Sequence, residues 1–340
     1  MLWRRVVVAV ASVALVAAGC AGTTTTPVPA RATAESTATR APTPTLPATP
    51  TATLPLPSGS PLPAGPVYAV GDDSTRQTEI PNGLSDIVAI SAGGYHSLVL
   101  TSGGTVLAWG ADDQGQTRVP AGLSHVVAVS AGGYHSLGLT SDGKVVAWGR
   151  GAEGQTRVPA GLSGVVAISA GGYHSLALTG QGEVVAWGFN GFGAVTVPAD
   201  LSGVVAISAG NGFSLALKSD GTVVAWGYGA DGETRVPAGL AGVRAISAGG
   251  THSMALERDG TVVAWGDNFY GETNVPTGLT DAVAIAAGTG FSLALKRDGT
   301  VVAWGYDAQG EIDVPARLSG VVAISAGWFH SLELASQAAN

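Results

Sequence analysis

From residue 66 onward, apolar positions come in short bursts that never reach helical length. Runs such as VVAIS (204–208), FSLALKS (213–219), TVVAWG (222–227) and ETRVP (233–237) are separated by junctions rich in Gly, Asp and Asn. Apolar runs of this size, rich in Val and bounded by turn residues, predict β-strands, and no window carries the period of an amphipathic helix. Asp220-Gly221, between the second and third runs, is a two-residue hairpin signal, because Gly takes the positive φ of such a turn without a steric penalty. Residues 223–226 are apolar at consecutive positions, so both faces of that strand are predicted to be covered.

The bursts recur at a fixed step of 39 residues. Pro81, Pro120, Pro159, Pro198, Pro237, Pro276 and Pro315 keep it, as do Trp109, Trp148, Trp187, Trp226, Trp265 and Trp304, with Val70 in the corresponding first position. An SAG element at 91, 130, 169, 208, 247 and 325 keeps it too, and Ala286 opens the variant copy AAG. Seven in-phase copies of a four-strand unit predict radial packing in a β-propeller or stacking in an open solenoid. The ends decide between them. The last copy stops after its second strand (FHSLELAS), while the first begins with a third strand (VYAVG, 67–71) and a fourth (TEIP, 78–81). Complementary truncations fit a ring whose last blade is completed by its first strands. The expected fold is all-β: a seven-bladed β-propeller of 39-residue four-stranded blades over residues 66–340, the last blade closed by the N-terminal strands.

The sequence SAGGYHSLALT (169–179) followed in a later copy by DGTVVAWGYGADGET (220–234) resembles the repeat of the regulator of chromosome condensation family, and the resemblance implies a seven-bladed propeller. Within that family, 39-residue copies ending in QTxVPAGLSG are most similar to a short-repeat bacterial branch, that of the type II β-lactamase inhibitory protein. That likeness implies that aromatic and acidic residues on one loop face carry binding, and it keeps β-lactamase inhibition open as a function. The family name also suggests nucleotide exchange or chromatin binding.

Ahead of the repeats the composition changes twice. Arg4 and Arg5 precede an uncharged apolar run over residues 6–18, and then come Gly19 and Cys20. A basic start, an apolar run too short to span a bilayer comfortably and small residues at its end read as an export signal. LVAAGC resembles the bacterial lipoprotein signal, in which the Cys is lipidated, with Ala17 here where Leu is usual. Cys20 is the chain's single cysteine and forms no intrachain disulfide. Residues 1–20 are therefore expected to be a lipoprotein-type signal peptide, with Cys20 as the lipidation site. Residues 21–65 hold ten of the 18 prolines and twelve threonines, so they are expected to be a disordered, polyproline-like stalk. The expected location is exported, lipid-anchored to the bacterial cell envelope, with the propeller facing outside the cytoplasmic membrane.

Charge removes one class of partner. Residues 66–340 carry 12 Lys and Arg against 23 Asp and Glu, a net of −11 that repels nucleic acid. Together with export, this disfavours the exchange and chromatin roles. Candidate chemistry is sparse. His96, His135, His174, His252 and His330 share one repeat position, but Phe213 and Phe291 hold it in the other two copies, so the slot is expected to serve ring packing rather than metal binding. His96 and Ser97 are adjacent on a strand and point to opposite faces, which excludes a dyad between them. No calcium loop, P-loop or catalytic constellation is present. No cofactor, no metal and no enzymatic activity are expected.

Variation between copies points elsewhere. In an up-and-down blade the first-to-second and third-to-fourth loops share one side. The opposite side is monotonous (SDG, RDG, PAGLSG), whereas this side varies. Its first loops contribute Tyr95, Tyr134 and Tyr173, then Asn211, Thr251, Trp328 and Phe329. Its second loops contribute Phe189, Asn190 and Phe192, then Tyr228 and Asp231, then Asp267, Asn268, Phe269 and Tyr270, and finally Tyr306 and Asp307. Aromatics mixed with Asp, Asn and Gly resemble a paratope. These residues are the expected binding site. The expected function is that of a monomeric, surface-anchored binding protein that takes a protein, or a glycan, on this face and touches the membrane only through its N-terminus.

Overall fold

The computed structural model describes residues 64–336; the signal segment, Cys20 and the Thr/Pro-rich stretch before residue 64 lie outside the described residues. Among the described residues the strands form seven three-stranded antiparallel sheets and no helix. Blade 1 comprises β2 (Ile87–Ala92), β3 (His96–Thr101) and β4 (Val106–Gly110), and blade 2 comprises β5 (Val126–Ala131), β6 (His135–Thr140) and β7 (Val145–Gly149). Blade 3 is β8 (Val165–Ala170), β9 (His174–Thr179) and β10 (Val184–Gly188); blade 4 is β11 (Val204–Ala209), β12 (Phe213–Lys218) and β13 (Val223–Gly227). Blade 5 is β14 (Val243–Ala248), β15 (His252–Glu257) and β16 (Val262–Gly266); blade 6 is β17 (Ala282–Ala287), β18 (Phe291–Lys296) and β19 (Val301–Gly305). Blade 7 contains β20 (Val321–Ala326) and β21 (His330–Ser336), and its third strand is β1 (Ala64–Gly71) from the other end of the described chain.

Each blade packs on the next, and blade 7 packs on blade 1, so the ring closes. The first strands meet one another around the axis, where small residues such as Ala92, Ala131 and Ala170 are fully buried. Middle strands are buried along almost their whole length, as in His174–Thr179. Leucines and isoleucines from adjacent blades interdigitate: Leu137, Leu139, Val165, Ile168 and Trp187 belong to one continuous cluster.

Three details differ from the sequence reading. Blades have three strands, not four, and the run ETRVP is irregular. Its backbone is diverted from ladder pairing, because the Glu233 carbonyl accepts the Ser253 hydroxyl at 2.8 Å and the Trp265 indole N–H at 2.9 Å, both from the following blade. Pro237 has no N–H to offer a ladder. As a result the third strand is an edge strand, and Val223, Val224 and Ala225 are half-buried rather than covered on both faces. Finally, β1 starts at Ala64, so the chain is already paired, Ala64 with Ser336, before the expected boundary at Pro66.

Candidate functional site

The repeated frame must be understood before the loops it carries. Ser175 Oγ in blade 3 donates to the Gln155 carbonyl at 2.9 Å and lies 2.9 Å from His135 Nε2 of blade 2. A hydroxyl has one proton, and the carbonyl takes it, so the imidazole must be the donor and carries its proton on Nε2. The same relay joins His96 to Ser136, His174 to Ser214, His252 to Ser292 and His330 to Ser97. Each histidine therefore pairs with a serine one blade on, a contact that the adjacency argument did not reach. These His and Ser side chains are at most 1 % exposed, which leaves no approach for a substrate. Burial holds His96, His135, His174 and His252 at about 3 and His330 at about 4, so all five are neutral at physiological pH. The histidine column fastens blade to blade.

On the loop face, backbone bonds link first loops around the axis: Gly94 N to Gly132 O at 2.9 Å, Gly250 N to Gly288 O at 3.1 Å and Trp328 N to Gly93 O at 3.2 Å. Trp328 was expected on the exposed rim and is instead fully buried. Its indole lies over the loops of blades 1 and 2, where a Cβ on Gly94 or Gly133 would come within 2.9 or 2.7 Å of the ring. Glycine at those two positions makes the room. Tyr95 and Tyr134 meet the indole edge-on with centroids at 5.0 and 5.1 Å, and Tyr173 and Phe329 pack against it. Trp328 is thus the floor beneath the aromatics, not one of the exposed contacts.

The remaining aromatics fall into two groups. One is an arc over blades 7 to 4 in which Phe329, Tyr95, Tyr134, Tyr173, Phe189, Phe192 and Tyr228 form consecutive ring contacts with centroids 5.1–6.4 Å apart. Every member is half-buried. Arg150 lies over Tyr134 and Tyr173 at 5.9 and 5.2 Å while bonded to Glu153, which locks the middle of the arc. Burial raises the phenols of Tyr95 and Tyr134 above their ordinary value. The second group, over blades 5 and 6, is Phe269, Tyr270 and Tyr306, with centroids at 4.8 and 4.6 Å. Here Phe269 is 70 % exposed.

Polar members of the predicted set mostly hold loops in shape. Asn190 Oδ1 accepts the Val195 N–H at 3.1 Å, and Asn268 Oδ1 accepts the Thr273 N–H at 3.1 Å. Asp307 Oδ1 accepts the Ile312 N–H at 3.3 Å, and the Thr251 carbonyl receives the Asp267 N–H at 2.9 Å. Asn211 is half-buried and Asp231 exposed. A column missed from the sequence lies beneath these loops. Gln77, Gln116 and Gln155 occupy it in blades 7, 1 and 2, Ala194 in blade 3, and Glu233, Glu272 and Glu311 in blades 4, 5 and 6. The Gln amides donate to Asp72, Asp113 and Glu153. The Glu residues instead leave Oε1 buried without a partner, and burial pushes Glu233 up to about 7 and raises Glu272 and Glu311. The signal was a Gln-to-Glu change at one repeat position. Arg150 was also missed; it is a singular residue whose stacking partners come from two blades.

On the opposite face, residues 120–125 and the turn at 140–144 enclose a shallow hollow of about 620 Å³ lined by Leu123, His125, Lys144 and Val146. Among the described residues no three His, Cys, Asp or Glu side chains converge to hold a metal ion.

Comparison with known proteins agrees with the architecture. The family model for the regulator of chromosome condensation (RCC1) repeat matches residues 87–116, 126–155, 165–194, 204–233, 243–272 and 282–311. No curated protein matches the chain at a significant level. Among solved structures, the chain is similar to Prp20p of Saccharomyces cerevisiae, described with its binding to Gsp1p and histones (19% identity, 83% of this chain, 93% of that chain, TM-score 0.68). It is also similar to human WBSCR16 (19% identity, 79% and 98% covered, TM-score 0.65). A third likeness is to the CRINKLY ectodomain of the Arabidopsis thaliana receptor kinase ACR4 (22% identity, 72% and 91% covered, TM-score 0.55).

Proposed function

The chain belongs to the regulator of chromosome condensation repeat family, and from that premise we propose that its propeller is a non-enzymatic binding module that takes a protein partner on the loop face. One observation carries this reading. Side chains that differ from copy to copy, and are aromatic far beyond what solvent-exposed loops need, come together on one side of a frame that is otherwise repeated. The scaffold supports a protein-binding role, and Prp20p, a propeller of the same fold, is described with protein partners. A contact of about 800 Å² per partner fits on such a face.

The sequence pattern around Cys20 supports an exported, lipid-anchored molecule held away from the membrane by the Thr/Pro-rich segment. Metabolic labelling with a radioactive fatty acid tests this: label should enter the wild-type chain and be absent from Cys20→Ser, and equal labelling of both would remove the anchor. Capture tests the binding face. The full chain and a variant with Phe189, Tyr228, Phe269, Tyr270 and Tyr306 changed to Ser are exposed to envelope and secreted fractions, to a panel of class A β-lactamases and to a glycan array. A partner held by the parent and lost by the folded variant supports the loop face and separates protein from glycan recognition. Equal binding by both would move the site to the reverse face.

A further inference from the structure

The geometry points to the loops of blades 5 and 6 as the anchor for a basic protein, with Phe269 entering an apolar pocket of the partner and Asp267, Asp307 and Asp313 facing Lys or Arg around its rim. This rests on the loop-face reading and gives it a sector and a partner chemistry.

The two halves of the face differ in what they leave unsatisfied. In blades 1 and 2 one acid of each second loop already has a cation: Arg118 Nε donates to Asp112 at 2.7 Å, and Arg150 Nε donates to Glu153 at 3.0 Å, while Asp113 is held by the Gln114 and Gln116 amides. Residues 266–276 and 305–316 contain no Lys or Arg. Among the described residues, no cationic nitrogen lies within ion-pair distance of Asp267, Asp307 or Asp313, and Asp307 and Asp313 are exposed. Glu272 and Glu311 sit beneath the same loops, where blades 1 and 2 have Gln. An unneutralised acidic rim raises encounter with, and selects for, a basic surface.

Hydrophobic exposure is concentrated in the same place. Among the described residues, the large hydrophobic side chains exposed elsewhere, Tyr68, Val88, Leu107 and Val205, lie on strands, whereas Phe269 and Tyr270 stand on the loop face. Leaving a phenyl ring largely in water forgoes about 1.5–3 kcal/mol of burial, so its presentation needs a reason in the bound state. The loop is also pre-shaped. Asn268 Nδ2 donates to Asn274 at 2.8 Å, Glu272 Oε2 accepts the Tyr270 N–H at 2.8 Å, and Tyr270 buttresses the Phe269 ring. A rigid aromatic with a charged surround has the form of an interface hot spot, and its ordering cost is met before binding. The arc over blades 7 to 4, half-buried and clamped by Arg150, offers edges rather than an inserting side chain.

The test uses the full chain against disulfide-closed random peptides displayed on phage, with three variants as decoys: Phe269→Ser, the triple change Asp267→Asn, Asp307→Asn and Asp313→Asn, and Tyr173→Ser. Asn keeps the side-chain oxygen that Asp307 uses to hold its loop, and unchanged thermal melting certifies each fold. Enriched peptides should be rich in Lys and Arg beside apolar residues and should lose about 10-fold or more in affinity on Phe269→Ser. They should weaken several-fold on the triple change and between about 0.05 and about 0.5 M NaCl. They should lose clearly less on Tyr173→Ser than on Phe269→Ser, since that ring is not the anchor. Enrichment of neutral or acidic peptides, or no enrichment, overturns the inference. Peptides lost on Tyr173→Ser but kept by Phe269→Ser overturn it while leaving the loop-face reading intact, and peptides that bind every variant equally overturn both.

Discussion

Where blade 2 meets blade 3, four side-chain hydrogen bonds cross the gap. Ser130 Oγ accepts the Ala170 N–H at 3.0 Å, His135 donates to Ser175 at 2.9 Å, and Ser175 Oγ and Trp187 Nε1 donate to the Gln155 carbonyl at 2.9 and 2.8 Å. Where blade 6 meets blade 7, none of the four forms among the described residues. Ala286 replaces the serine acceptor, Phe291 replaces the histidine and Val70 replaces the tryptophan. The Ser331 hydroxyl donates inward, to Glu333 Oε1 at 2.8 Å. The difference shows that bonds between blades are not what closes the ring. At the bare seam Phe291, Leu293, Val321 and Ile324 still pack into one cluster, and β1 is laddered to β21 from residue 64 to 71. Burial and strand exchange close the propeller. The side-chain bonds elsewhere fix how neighbouring blades register.

Acid gives the largest way to break this comparison, because it attacks only the fastened seams. Each histidine is neutral when folded and binds a proton when unfolded below about 6.5, so its stability contribution is present above that pH and lost as pH falls toward 3. The geometry agrees: Nδ1 of His96, His135, His252 and His330 is buried without a partner, and a proton added there has no acceptor. Five such groups cost about 7 kcal/mol per pH unit at about 1.4 kcal/mol each. Glu233, Glu272, Glu311 and Glu333, all raised by burial, run the opposite way until about pH 4.5, so the net loss is shallow above that pH and steepens to the histidines' own slope below it. A domain stable by about 5–15 kcal/mol should therefore unfold between about pH 5 and 3, most steeply below about 4.5. The double variant His135→Phe, His174→Phe should lose about 1 kcal/mol at neutral pH and unfold about 1 pH unit lower than wild type, giving stability curves that cross. Circular dichroism against pH measures this. An acid midpoint that stays put or rises would show that the histidines do not set it.

Much of this frame could be read in the chain, and what could not had a physical cause. The 39-residue step and the complementary truncations were sufficient for a seven-bladed ring, because a propeller's closure is written in its ends. The fourth strand was misread because ETRVP has strand chemistry locally, and the groups that capture its carbonyl, Ser253 and Trp265, lie 20 and 32 residues downstream. Comparing copies located the variable face, since residues freed from the frame are visible as departures from it. It did not show that Trp328 is buried, because that depends on the absence of side chains at Gly94 and Gly133 in two other blades. The split of the aromatics into a clamped arc and an exposed group was hidden for the same reason: exposure is decided by neighbours from other copies.

Alkali sharpens the comparison from the other side. At the position of Glu333 the other copies hold Val99, Gly138, Ala177, Ala216, Ala255 and Ala294. Burial pushes Glu333 up to about 7, above its unfolded value near 4.3, so the folded chain retains a proton that the unfolded chain releases. Stability is therefore lost as pH rises from about 4.5 to 7 and stays low beyond it. Glu333→Ala removes that loss and frees the Ser331 hydroxyl to donate to the Glu311 carbonyl, as its counterparts do at the other seams. Chemical denaturation should show a gain of about 2–3 kcal/mol at pH 8 and a change within about 1 kcal/mol at pH 4.5. A variant destabilised at both pH values would mean that the carboxyl has a partner worth more than its burial costs.

The smallest effect isolates a single fastening. Ala286→Ser places a hydroxyl where Ser247 accepts the Ala287 N–H at 2.9 Å one seam earlier, and offers the same acceptor to the Ala326 N–H. A net intramolecular hydrogen bond is worth about 0.5–1.5 kcal/mol, which in a domain of this size raises Tm by about 1–5 °C. The gain requires that blades 6 and 7 already sit at the spacing of the other seams, so the variant doubles as a ruler. A rise in Tm would mean that the bare seam has the same geometry as its neighbours and lacks only the bond. A fall would mean that apolar packing holds blades 6 and 7 at a different spacing, with the hydroxyl buried and unpaired at a cost of about 1–3 kcal/mol. In that case Ala286, Phe291 and Val70 would be a matched set that sets how the ring closes, and restoring His at 291 alone should fail in the same direction.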